Sequence, residues 1–85
     1  MASANPTPSP NPNALKFELD VTLPDTINFA SADEAAGNPF AAEVFAAPGV
    51  VSLFGVNDFV TVRRQPGFEW DPIVAAVVAA AAAHL

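Results

Sequence analysis

The sequence predicts an α+β fold: one two-layer domain with a four-stranded antiparallel or mixed sheet and two helices on one face, in the order strand–strand–helix–strand–strand–helix. Three observations point to it. Residues 15–23 alternate apolar and polar side chains without a break, two β-branched runs flank the pair Asn57-Asp58, and two segments open with a capping residue followed by proline (Asn38-Pro39 and Asp71-Pro72).

The first stretch, residues 1–9, is expected to be a flexible Pro-rich leader, with a single domain over residues 10–85. Prolines at positions 6, 8, 10 and 12 forbid helix and favour extended backbone. The segment carries no basic residue through Asn13, so it does not read as a signal or transit peptide. In the next segment, a strand, Leu15, Phe17, Leu19, Val21 and Leu23 share one face and Lys16, Glu18, Asp20 and Thr22 the other. One face is therefore expected in the core and the other in water. Pro24-Asp25 makes a turn, and Thr26–Ala30 resumes the alternation as a hairpin partner of the first strand.

Ser31–Gly37 is small and acidic and reads as irregular. Asn38 caps a short helix whose inner face holds Phe40, Ala41, Val44 and Phe45, and Pro48-Gly49 stops it. Val50–Val56 and Phe59–Arg64 form a hairpin across Asn57-Asp58. Gln65-Pro66-Gly67 breaks the sheet. Asp71 then caps a second helix, where Trp70, Ile73, Val74, Val77, Val78 and Ala81 follow core spacing and the opposite face is alanine.

Composition narrows the function. The chain has 85 residues and a mass of 8.8 kDa, too short for most cofactor-binding folds. Nine acidic against three basic residues leave a net charge of −6, which repels nucleic acid and anionic membranes alike. The apolar run Pro72–Ala83 is far shorter than the roughly 20 residues that span a bilayer. Cysteine is absent, so thiol nucleophiles, disulfides and cysteine-held metals or clusters have no donor here. A disulfide-free small domain fits the cytoplasm.

No catalytic, cofactor or metal site is expected, and the chain is not expected to be an enzyme. His84 is the single histidine, and a metal site needs several convergent donors. Glu18 and Asp20 belong to a solvated strand face and Asp33-Glu34 to a loop. Neither pair lies in a cleft that would separate two carboxylates chemically. Trp70 reads as a core plug. The basic residues are few enough to be informative. Asn11, Asn13, Lys16 and Arg63 are the candidate partner-binding residues, a polar edge next to proline-stiffened backbone that is ordered at low cost.

Three stretches resemble the N-terminal domain of Nfu/NifU-type iron–sulfur cluster scaffold proteins. Pro10-Asn11-Pro12-Asn13-Ala14-Leu15-Lys16-Phe17 is similar to that family's Pro-Asn-Pro-Asn-x-x-Lys-Phe opening. Asn38-Pro39-Phe40-Ala41, with Val44-Phe45 and Pro48-Gly49-Val50, resembles its short helix and stop. Val51–Val62, with Asp58-Phe59-Val60-Thr61-Val62 and then Trp70, resembles its second hairpin and the stretch beyond it. The resemblance covers about residues 7–85. It implies a small α/β domain associated with iron–sulfur cluster assembly or delivery. In full-length members a second domain carries the Cys-x-x-Cys pair that holds the cluster. Cluster holding therefore carries over to no residue here, and iron enters only as family context. The expected partners are cluster-assembly or recipient proteins met by a monomer. The alternatives are a standalone structural or regulatory domain outside that pathway, or a small ligand-binding protein.

Overall fold

The computed structural model describes residues 3–7 and 12–85. Five strands and three helices occur there: β1 (Ala4–Thr7), β2 (Ala14–Leu19), β3 (Ile27–Phe29), α1 (Ala32–Ala35), α2 (Pro39–Phe45), β4 (Val50–Val56), β5 (Phe59–Arg64) and α3 (Trp70–His84). The strands form one sheet in the order β1-β2-β5-β4-β3, with every neighbouring pair antiparallel. The α+β class holds, while the count of four strands and two helices does not.

The additional strand falls in the stretch expected to be a flexible leader. Ala4–Thr7 pairs with Leu19–Lys16 at the sheet edge, and the Thr7 hydroxyl donates to the Lys16 carbonyl at 3.0 Å. Pro6 is tolerated because an edge strand needs partners on one side only. Ala4 is buried beneath α3, so β1 contributes to the core.

Strand β2 is also shorter than the alternation of residues 15–23. Its neighbour β5 begins at Phe59, opposite Glu18, so past Leu19 there is no ladder left to join. Residues 19–23 instead wrap the tip of the β4–β5 hairpin. The Leu19 amide donates to the Asp58 carbonyl at 2.7 Å and the Leu23 amide to Asn57 at 2.6 Å. This wrap carries the chain to the far side of the hairpin. There β3 pairs with β4 through Ile27↔Gly55 and Phe29↔Leu53, not with β2 as a local hairpin would. Gly55 permits the approach, because a Cβ there would lie 2.8 Å from Ile27 and 2.9 Å from both Leu23 and Val60.

The hairpin itself forms as its residues demand. Asn57 takes the left-handed conformation at φ 55°, which asparagine tolerates better than most residues. A bulge between Val50 and Ser52 leaves Val51 exposed.

The segment read as irregular holds α1. The Ser31 side chain accepts from the Glu34 amide at 3.3 Å, and the Glu34 carboxylate accepts from the Ala30 amide at 3.4 Å. Ser31-x-x-Glu34 is thus close to a capping box, a signal present in the sequence. In α2, Asn38 caps as expected, accepting from the Ala41 amide at 3.1 Å ahead of Pro39 at the first helical position. Gly49 follows at φ 88°, where L-residues are strained, and a Cβ there would collide with Phe68. Asp71 is not the cap of α3. The helix begins at Trp70, two residues before the start that an Asp71 cap would give, and Glu69 takes the cap position, extended and making no side-chain capping bond. Pro72 sits within the first turn, where its missing N–H has no helical partner to lose.

Helices α2 and α3 cover one sheet face. Phe17, Leu53, Val60 and Val62 from the sheet meet Phe40, Val44, Ile73 and Val77 from the helices, all at 2% exposure or less. The buried stripe of α3 includes Ala80 and Ala81, whereas Val78, expected inside, is exposed. Because α3 packs on α2 as well as on β1, two neighbours set that stripe, and small alanines let the helices come close.

Candidate functional site

Among the described residues the opposite face of the sheet carries no helix. Pairing places Lys16 and Glu18 of β2, Phe59 and Arg63 of β5, and Phe54 and Val56 of β4 on it. The Lys16 ammonium sits over the Phe59 ring, 4.6 Å from its centroid. That is a cation–π distance, and it holds a normally mobile charge above an apolar floor. Arg63 is exposed on the same face. Lys16 lies opposite Thr61 and Arg63 two residues further along β5, a diagonal pair about 7–8 Å apart. Lys16 and Arg63, singled out separately in the sequence, are therefore neighbours.

Asn13 stands at the same corner, immediately before β2. Its carbonyl accepts from the Arg64 amide at 2.8 Å, and the Pro12 carbonyl accepts from the Trp70 indole N–H at 3.0 Å. Trp70 is half-buried at the rim and pins the lead-in, so it is more than a core plug. The Arg64 guanidinium stacks 5.0 Å from the Trp70 ring centroid and donates to the Phe68 carbonyl. Its Nε is buried without a hydrogen-bond partner among the described residues. Arg64 thus belongs to a structural clasp, and Arg63 to the open face. Asn11 lies outside the described residues.

Trp70→Phe keeps an aromatic ring and removes the indole donor. It should lower stability by about 0.5–1.5 kcal/mol, the net worth of one hydrogen bond. It should also broaden the Asn13 and Ala14 amide signals in NMR spectra; unchanged signals would mean that the bond to Pro12 does not hold the lead-in.

The remaining candidates separate. His84 Nε2 lies 3.3 Å from the Glu43 carboxylate and ties the last turn of α3 to α2. Glu18 is solvated on the open face, while Asp20 accepts from the Ser3 amide at 2.8 Å and so helps hold β1. Among the described residues no three histidine, aspartate or glutamate side chains converge as metal ligands. No described helix is long and apolar enough to cross a membrane.

Sequence reasoning missed a groove of about 350 Å³ at the far end of the helical layer. Leu23, Ile27 and Phe40 line it, with Asp25, Asn38 and His84 among its polar groups. Its walls come from segments far apart in the chain, so no local motif announces it.

The architecture matches solved structures closely. A crystal structure of a Staphylococcus aureus protein superposes with a TM-score of 0.77 at 22% identity, covering 92% of this chain and 96% of that one. The solution structure of a NifU-like protein from Saccharomyces cerevisiae gives a TM-score of 0.74 at 27% identity, over 94% and 73% of the two chains. A Staphylococcus epidermidis protein gives 0.59 at 25% identity, with 85% of each chain covered. Among curated protein sequences none matches this chain. The model of the family described as scaffold protein Nfu/NifU N terminal matches residues 5–85, which takes in most of β1 and every later element. With nearly the whole chain matched and the same fold in a NifU-like protein, this chain belongs to the Nfu/NifU N-terminal domain family.

Proposed function

We propose that this domain is a non-catalytic interaction module that serves iron–sulfur cluster assembly or delivery through protein–protein contacts, acting as a cytoplasmic monomer. The observation that carries this reading is the family match over residues 5–85. The meeting of Lys16, Arg63 and Asn13 at one corner of an uncovered sheet face supports a docking role for that corner. Cluster-assembly or recipient proteins are the partners in this reading, and the cluster is their cargo.

The test is affinity capture from native extract with the wild-type domain and with the double variant Lys16→Ala, Asn13→Ala. Alanine at position 13 retains the carbonyl that Arg64 uses, and Lys16 is exposed. Lys16→Ala by itself should leave thermal stability within a few degrees, since surface changes usually cost under about 0.5 kcal/mol. Half-buried Asn13 is structurally engaged, so the double variant is assayed at a temperature where it is folded. Binding to a captured cluster-assembly protein should weaken about tenfold, equivalent to about 1.4 kcal/mol. Normal binding by the double variant would remove this corner from consideration.

The groove supports a second reading, a small-ligand site. Saturable shifts of the Leu23, Ile27 and Phe40 signals with a natural metabolite, and no protein captured, would favour it.

A further inference from the structure

We infer that the open sheet face receives an acidic, partly apolar segment of a partner protein, laid across β2, β5 and β4. This rests on the interaction-module reading and adds the chemistry of the partner to it. Charge distribution is the ground for it. The chain carries three basic and nine acidic residues. Two of the three bases, Lys16 and Arg63, stand on the open face of the strands with one acid, Glu18, giving those strand residues +1, while Asp20 lies past the end of β2, where it accepts from the Ser3 amide. The remainder holds one base, Arg64, and eight acids, or −7, which together with +1 makes the −6 of the whole. A strongly acidic molecule has two of its three bases gathered on the broad sheet surface that the described helices leave bare.

The geometry suits carboxylates. Lys16 is already held over Phe59, and Arg63 offers a planar fork that binds a carboxylate through two parallel hydrogen bonds. Their diagonal spacing of about 7–8 Å matches acidic side chains two residues apart on an extended segment, about 6.6–6.8 Å. Phe54, 39% exposed, and the half-buried Val56 provide an apolar strip beside the charges. A second copy of this chain fits less well, because face-to-face pairing would bring two positive surfaces together. Nucleic acid is repelled by the −7 of the surroundings.

The probe is a short synthetic peptide alternating Glu with Val and Thr, compared with its Glu→Gln counterpart, each titrated into the 85-residue chain at low and high salt. The acidic peptide should bind at least about tenfold more tightly at low salt and shift amide signals of β2, β5 and β4. That preference should shrink at high salt, as exposed charges are screened. The double variant Lys16→Glu, Arg63→Glu should abolish the preference. If it does not fold, the single variants Lys16→Gln and Arg63→Gln should each reduce it about threefold. Equal affinity for both peptides, shifts mapping elsewhere, or a preference that survives these substitutions would overturn the inference. So would a concentration-dependent dimer in sedimentation that buries this face. If wild-type and charge-reversed chains capture cluster-assembly proteins equally, the acidic-partner inference fails and the pathway reading stands. Peptide selectivity without any such capture retains the inference and removes the pathway.

Discussion

Replacing Phe17 with alanine should lower the free energy of unfolding by about 3–5 kcal/mol, the usual cost of emptying a buried aromatic site. Phe17 is fully buried in β2, paired with Val60 of β5 on one side and Pro6 of β1 on the other. Neither backbone can collapse into the space without breaking its ladder. At roughly 0.05–0.15 kcal/mol per residue, a domain of 85 residues has about 4–13 kcal/mol in total. That loss is a large share of the total, so the variant should melt well below the wild-type chain. Urea titration followed by circular dichroism measures this directly, and a loss below about 1 kcal/mol would show that Phe17 does not anchor the core.

The second large effect separates the two faces of α3. Ile73→Ala should cost about 2–5 kcal/mol, because the side chain is fully buried between the helical layer and the sheet. Val78→Ala, further along the same helix, should lie within about 0.5 kcal/mol of wild type. Val78 is 40% exposed, and alanine's better helix propensity offsets part of the lost contact. Unfolding curves of equal slope with midpoints displaced only for Ile73→Ala are the expected result. Equal losses at both positions would mean that the helix is rotated, with the Val78 side packed.

Much of this architecture is local and was legible as such. The alternation around Phe17, the β-branched runs flanking Asn57-Asp58, and the Asn38-Pro39 start each encode their element through contacts between residues near in sequence. The single-turn α1 was also legible through Ser31-x-x-Glu34, but a small acidic segment masked it. The site was readable residue by residue, since alternation puts Lys16 opposite Phe17 and Arg63 opposite Val62. Their proximity was not, because it depends on β2 lying beside β5.

For β2, β3, β4, β5, α2 and α3 the sequence by itself determined the element type, and it determined the central hairpin, the inward side of those strands and the absence of cysteine. Tertiary structure decided which strands are neighbours. The alternation of Thr26–Ala30 is satisfied equally by any partner. The choice fell to β4 because residues 19–23 bind the carbonyls at the hairpin tip and Gly55 leaves room for Ile27. Proline marks where regular bonding is interrupted on one side, yet β1 needed bonds on one side alone, and Ala4 adds buried apolar surface beneath α3. Local preferences choose an element's conformation, whereas strand order minimises exposed apolar area and unmade backbone hydrogen bonds over the whole chain, a quantity that no segment carries alone.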